Sequence, residues 1–591
     1  MVRSEFPRPQ LFRGEENWIN LNGQWEFDYD NGRSGEERGM FTADAEYNLE
    51  ITVPFCPESE LSGIGNTDFI YCVWYRRMCE IPESWDLIKG RVLVHFGAVD
   101  YEAKVWVNDR AVGTHRGGYS SFRFDITDAL AGSRRFRLTV RAEDDTRSPA
   151  QASGKQSPRL KSFGCHYTRT TGIWQTVWLE YVPRYYVRDL FLTPDVKNGR
   201  LSVRVRHDRY VAPGTVITAR AIDEGEIAAE ARCEAKWGET EFYLEITRPK
   251  LWEPGNAFLY GLELIVEAPG ELTDRIWSYF GMRSVEVTPK CVLINGRPVY
   301  QRLVLDQGFN PRGIYTAPTD DFLRQDILRS MALGFNGARL HQRVFEQRFF
   351  YWADKLGYLC WGEHANWGYA VENPALFIDY MNEWSEIVER DYSSPSVIGW
   401  CPFNETVPAD PAIGAIYRLT KRLDPSRPVI DTSGWCHHIS ADGRTGTDLY
   451  DFHDYEQNAE ALAQKLRPYS EGVVPPHAPV TDPKAWVKDT PYFCSEFGGT
   501  QWAPGREGWG YGTGPKSEEE FVARFGSLVT LMLKDPDMCA FCYTQLTDVE
   551  QEVNGLYTYD RELKFPAEVL RRFVAQPAAI EEEYEAAVRE D

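Results

Sequence analysis

The spacing of apolar residues changes near residue 288, and no single layer architecture accommodates both patterns. Before that point apolar residues recur at every second position over short runs, as at 91–96, 103–107, 135–140 and 176–181. That is the spacing of half-buried strands. Turn pairs such as Asn108-Asp109 and Gly117-Gly118 separate the runs, and helical spacing is scarce. Residues 1–182 are therefore expected to form a β-sandwich of jelly-roll type. Runs at 200–206, 214–221, 240–246 and 260–267 continue the pattern. Roughly seven strands over 183–287 suit an immunoglobulin-like β-sandwich. Pro183 and the stretch 282–289 are the expected boundaries.

From residue 288 short apolar strands alternate with amphipathic helices. Strands are predicted at 299–305, 334–340, 358–361, 397–403, 428–431, 449–453, 492–495 and 539–544, with helices at 320–333, 346–356, 377–392 and 518–534. This alternation over 288–591 predicts a (β/α)₈ TIM barrel, with an acidic helical tail after Phe565. A chain of 591 residues exceeds what one hydrophobic core serves, in keeping with three domains.

The net charge of −23 argues against nucleic acid, whose phosphates need Lys and Arg, and against an anionic membrane surface. The 12 cysteines show no zinc-like spacing, and Cys401 and Cys494 sit in apolar strands as buried thiols. Buried free thiols suit a reducing compartment. With no leader-like apolar run at the N-terminus and no apolar run of membrane length, a cytoplasmic location is expected. The 19 Trp, 31 Tyr and 31 Phe mostly fill cores, but flat aromatic faces also cover the C–H groups of sugar rings.

Active groups of a β/α barrel lie at the C-terminal ends of its strands. The predicted ends carry Asp306-Gln307, Arg339 with His341, Glu363-His364, Asn404-Glu405, Trp435, His453 with Tyr455, Ser495-Glu496 and Gln545. Acids thus stand at several ends, and Asp306 or Asp454 is explained as well by helix capping. Glu is a weak cap, and Glu405 and Glu496 each close an apolar strand. Glycoside hydrolysis needs two carboxyl groups flanking one bond, one with a raised pKa to protonate the leaving oxygen and one ionised. Strands four and seven face each other across a barrel mouth, so Glu405 and Glu496 are the expected pair. Asn404 is placed to donate to a sugar 2-hydroxyl.

At these residues the chain closely resembles glycoside hydrolase family 2. In the first region 74–77 (Trp-Tyr-Arg-Arg), Gly117 to Phe122 with Asp125-Ile126-Thr127, and 171–175 (Thr-Gly-Ile-Trp-Gln) look like its signatures. In the barrel, Asn336-Gly337-Ala338-Arg339 with His341 resembles its first catalytic-domain motif. The resemblance implies a retaining exo-glycosidase, with Glu405 as acid/base and Glu496 as nucleophile, acting through a glycosyl-enzyme intermediate. Arg339 is then expected to orient Glu496 and hold it ionised, and His341, His364 and His453 to bind sugar hydroxyls or serve as structural groups. Tyr455 is expected to bond Glu496 or the ring oxygen. Trp435 and Trp502 are expected to form a sugar platform, with core packing as the rival. The loop 144–166, with Lys155 and Arg159, is long enough to reach the mouth.

The family's glucuronidases hold the uronate through an Asn-x-Lys motif, and here Asn554-Gly555-Leu556 lacks the lysine. A C6 carboxylate would then want a cation from elsewhere, such as Arg302, Arg312 or Arg343. Asp548, Glu550, Asp306 and Gln307 suit hydroxyls, so a neutral glycone is expected; the resemblance makes it of β-galactoside type, the family's commonest case, with an α-L-arabinoside or a β-uronide as alternatives. Larger β-galactosidases of the family bind metal ions. Glu363 aligns loosely with an acidic position there, but no full ligand set is recognisable, so no metal and no cofactor is expected. Relatives often form homo-oligomers. Rival classes are a non-catalytic carbohydrate-binding protein and an endo-acting glycanase.

Overall fold

Residues 2–406, 412–434, 437, 446–470 and 490–590 of the computed structural model are described here. The first region follows its alternation. Arg135–Glu143 buries Phe136, Leu138, Val140 and Ala142 on one face and pairs with Cys72–Glu80 on one side and Glu102–Val107 on the other. These lie in a six-stranded antiparallel sheet that packs against a four-stranded one containing Gly90–Phe96 and Val177–Pro183. Trp25, Phe27, Tyr75, Val94 and Leu179 fill the space between.

The second sandwich is the plainer case. Arg200–His207 alternates without a break, turning Leu201, Val203 and Val205 inward and Arg200, Arg204 and Arg206 outward. It sits in a three-stranded sheet facing a four-stranded one that contains Val216–Asp223 and Tyr260–Glu267. One-sided burial sets the register of both sandwiches, because a one-residue slip would expose every inward side chain.

The barrel strands are β1 (Gln301–Asp306), β2 (Gly337–Leu340), β3 (Leu359–Glu363), β4 (Val397–Cys401), β5 (Tyr450–Asp454), β6 (Tyr492–Gly498) and β7 (Met538–Thr544). They form one seven-stranded parallel sheet in the order β4-β3-β2-β1-β7-β6-β5. Most are buried throughout, as expected of a sheet covered on both faces. Helices such as Asp320–Ala332, Gln347–Leu356, Phe377–Asp391 and Glu518–Lys534 cover the outside, and Thr319 and Ser517 cap the first and last of these. No described helix is long and apolar enough to cross a membrane.

The expected fifth strand at 428–431 is replaced by an irregular segment in the gap between β4 and β5. Ile430 N donates to Trp400 O at 2.9 Å and Asp448 N to Val429 O at 2.9 Å, so both edges are engaged. The ladder fails because side chains capture its donors. Thr432 N binds the Asp431 carboxylate at 2.8 Å, and Gly434 N binds Asp451 at 3.0 Å. Pro428 has no N–H to offer.

Candidate active site

The barrel mouth is organised around Arg339, which leaves β2 and is 1% exposed. Its Nε donates to Glu363 at 2.8 Å and its Nη1 to Glu496 Oε1 at 2.8 Å, while Nη2 donates to Asn404 Oδ1. One guanidinium therefore ties together β2, β3, β6 and the end of β4. The second oxygen of Glu363 accepts from Gln342 N at 2.9 Å and lies 3.0 Å from His341 Nδ1. Glu363 is thus a clamp on Arg339, a role its sequence position did not reveal.

Glu496 lies within β6 and accepts from Arg339 through Oε1 and from the Tyr455 hydroxyl through Oε2. Tyr455 stacks flat on Tyr511, with ring centroids 3.3 Å apart. Burial pushes the Glu496 carboxyl up, but His453 and Arg339 outweigh it and hold it down at about 2. The group is a committed carboxylate.

Glu405 lies past the end of β4 with φ +46°, a left-handed conformation uncommon for a residue with a side chain. Its N–H donates to Ser433 O at 2.8 Å, so the irregular 428–434 segment holds the turn. Its Oε1 accepts from His453 Nδ1 at 2.8 Å. His453 Nε2 lies 3.2 Å from Ser433 Oγ and 3.4 Å from Glu496 Oε1, which places the ring between the two glutamates. Gly434 makes room for it, since a Cβ there would stand 2.7 Å from the ring.

The expected rise in the pKa of the Glu405 carboxyl is absent. Burial pushes it up, but the His453 hydrogen bond and charge more than compensate and leave it below the usual value. Conversely, burial opposes a charged His453, yet Glu496 and Glu405 raise its pKa. In the free protein the proton therefore belongs to the His453–Glu405 pair, with the imidazole as its main holder.

Asn404 has its Oδ1 occupied by Arg339, and its buried Nδ2 has no partner among the described residues. It is a donor left available beside Glu405. His341 is buried at the same hub, 3.9 Å from Glu496, and burial keeps its pKa well down.

Other expected site residues lie outside this cluster. His364 is fully buried against Tyr380 and Trp384, with Nε2 3.4 Å from Glu383, so its surroundings are those of a core residue. Trp502 packs on Phe521 and Phe565, following the core-packing alternative. Asp306 accepts from Gly308 N at 2.8 Å and caps its own turn. Gln545 is engaged with Gln307 and Asn554. Trp435 is not among the described residues.

The cations considered for a carboxylate are mostly occupied. Arg302 pairs with Glu581 at 2.6 Å, Arg312 pairs with Glu60 at 3.0 Å, and Arg343 donates to Gly308 O and Tyr315 O. Arg159 stacks on Phe163. Lys155 alone of these stands near the glutamates, with Nζ 3.8 Å above the ring of Trp367, whose Nε1 donates to Asn404 O at 3.2 Å. The acids expected to suit hydroxyls also have partners. Asp548 pairs with Lys564 at 2.6 Å, and Glu550 accepts from Thr168 N at 2.9 Å. One grouping suggests a metal by composition, since atoms of Glu405, His453 and Glu496 lie within 4.8 Å of one another. A protonated His453 bonded to Glu405 is a poor ligand, so the geometry fits a proton better than an ion.

Residues 62–179 match the family described as "Glycosyl hydrolases family 2, sugar binding domain", residues 185–283 match "Glycosyl hydrolases family 2", and residues 285–477 match its TIM barrel domain. A beta-glucuronidase of Rattus norvegicus is 27% identical over 447 residues, covering 69% of this chain and 67% of its own length. A beta-galactosidase of Thermoanaerobacter pseudethanolicus is 25% identical over 411 residues, covering 67% of this chain and 52% of its own. The solved β-glucuronidase of Ruminococcus gnavus with D-glucuronic acid shares the fold at a TM-score of 0.78 and 18% identity, over 97% of this chain and 100% of that one. Three family matches in the same order as the three structural regions lead to one conclusion: this chain belongs to glycosyl hydrolase family 2.

Proposed function

We propose that the chain is a retaining exo-glycosidase that releases one terminal sugar by double displacement, with Glu496 as nucleophile and Glu405 as acid and base. The observation that carries this reading is the approach of the two carboxylates, with an oxygen of each inside the same 4.8 Å grouping. That is close to the roughly 5–5.5 Å at which the second carboxylate attacks the sugar itself. Glu496 attacks the anomeric carbon, the bond to the leaving oxygen breaks, and Glu405 delivers a proton to that oxygen. Water then attacks the glycosyl-enzyme ester, and Glu405 takes its proton.

His453 supplies the timing. An imidazolium between two carboxylates is stabilised by both. When Glu496 becomes an ester its charge is lost, His453 holds its proton less tightly, and the proton moves through Glu405 toward the leaving oxygen. Arg339 and Tyr455 hold Glu496 in place, and the free Nδ2 of Asn404 donates to the sugar 2-hydroxyl.

The glycone best supported is a β-uronide. The acids and amides that favoured a neutral sugar in the sequence are engaged with other protein groups, whereas Lys155 meets a ring face and, among the described residues, no carboxylate within ion-pair distance. The beta-glucuronidase relatives add support of the same kind. A β-galactoside is the second reading, favoured by the missing cation at Leu556 and by the beta-galactosidase relative.

The test is a panel of nitrophenyl β-glucuronide, β-galactoside, β-mannoside, β-xyloside and α-L-arabinosides, joined to trapping with a 2-fluoro glycosyl fluoride. A covalent adduct on Glu496 is expected. Release of product with inverted anomeric configuration would sink the retaining mechanism.

A further inference from the structure

Lys155 reaches the barrel mouth from another domain along an anchored backbone. Ser153 N donates to Trp367 O at 2.8 Å, Gly154 N to Ala365 O at 3.1 Å, and Tyr167 N to Lys155 O at 2.7 Å. Gly154 adopts φ +55°, and a Cβ there would stand 2.4 Å from Gln342 O, so the loop seats directly on the barrel backbone. Farther along, Gln156 Nε2 is tied to Asp100 at 2.7 Å. The lysine is positioned by the fold and not by chance contact.

The residue is 6% exposed, yet its ammonium meets a ring face, and among the described residues no carboxylate lies within ion-pair distance. Burying an ammonium is costly unless an anion compensates. The comparable Lys564 has that compensation, with Asp548 at 2.6 Å. The charge of Lys155 acts on Glu405, Glu552 and His341. Through Trp367, which it covers and whose Nε1 donates to Asn404 O at 3.2 Å, the lysine stands beside Glu405, where a terminal sugar would sit.

We propose that Lys155, carried from the jelly-roll domain, is the counter-charge for a carboxylate on the terminal sugar, so that selection of an acidic glycone is made outside the barrel. This rests on the β-uronide reading above. The role is recognition, and no bond changes at the lysine.

The experiment compares the full chain with Lys155→Met and Lys155→Arg. Turnover is measured on 4-nitrophenyl β-D-glucuronide and β-D-galactoside, and binding of D-glucuronate and D-galactose by calorimetry. With Met, kcat/KM for the glucuronide is expected to fall on the order of 100-fold and glucuronate affinity by a similar factor, since a desolvated charge pair is lost. The galactoside and galactose values are expected to stay within about threefold, since neither carries a carboxylate for the lysine to meet. Arg is expected to restore part of the glucuronide loss. Equal losses on both glycosides would overturn the proposal and make Lys155 a support for the catalytic carboxylates. Wild-type protein that binds no glucuronate would overturn it as well. If neither glycoside is turned over but glucuronate binding still depends on Lys155, the hydrolase reading fails and this one stands.

Discussion

The two glutamates that face each other at the mouth are held in opposite ways. Glu496 sits inside a fully buried strand, with an arginine on one oxygen and a tyrosine on the other. Glu405 sits beyond its strand in a left-handed turn, tied to one histidine and partly open, its side chain 24% exposed. A nucleophile gains from being fixed and ionised, because its distance to the anomeric carbon sets the rate. An acid/base group must exchange a proton with a leaving group and then with water, so it needs access and a proton source. The difference in environment matches that division of labour.

Four variants would break or sharpen this contrast. The largest effect is expected from Glu496→Ala, with turnover falling on the order of 10⁵-fold while circular dichroism stays unchanged. Residual activity near wild type would make the fixed carboxylate dispensable. Glu405→Ala is expected to cost about 10²–10⁴-fold with poor leaving groups and far less with dinitrophenyl glycosides, which need little protonation. Equal losses on both would remove its acid role.

Arg339→Gln tests the fixed side directly. It leaves Glu363 and Glu496 buried without their shared cation, and a loss of about 3–5 kcal/mol in unfolding free energy is expected, read by urea denaturation. Stability unchanged at neutral pH would show the hub is not held by charge.

The smallest effect concerns pH. Glu496 is held at about 2, below its ordinary value, so its contribution to stability is present above the unfolded pKa and is lost as pH falls through about 2. The pKa of His453 is raised, so its contribution is complete below the unfolded value and is lost as pH rises through the folded one. The alkaline limb of kcat/KM then reports His453. With His453→Gln a carboxyl replaces an imidazole as the titrating acid, and the limb is expected to move down by about one unit or more. A limb that stays in place would detach His453 from the proton.

Much of this site was legible before any coordinates. Glu405 and Glu496 stood out because each ends an apolar strand in a chain whose pattern implies a barrel, and Arg339 because it ends β2. The partners were not legible. Glu363 was visible only as an acid at a strand end, and nothing local links it to Arg339. Asp431 and Asp451 replace a regular fifth strand by binding backbone N–H groups, a competition that the apolar run at 428–431 does not record. Trp502 could serve a sugar or a core equally well on paper. Phe521 and Phe565, distant in sequence, hold it half-buried against the core.

By itself the sequence determined the kind of elements, their order and the residue types brought to the mouth, because strand and helix periodicities are local and strand ends follow from them. Tertiary structure alone decided which of those residues meet. The pKa values of the two glutamates depend on His453 and Arg339, and the position of Lys155 depends on a loop from another domain. Charge, burial and hydrogen bonding act through space at a few ångströms, a distance that chain separation does not encode.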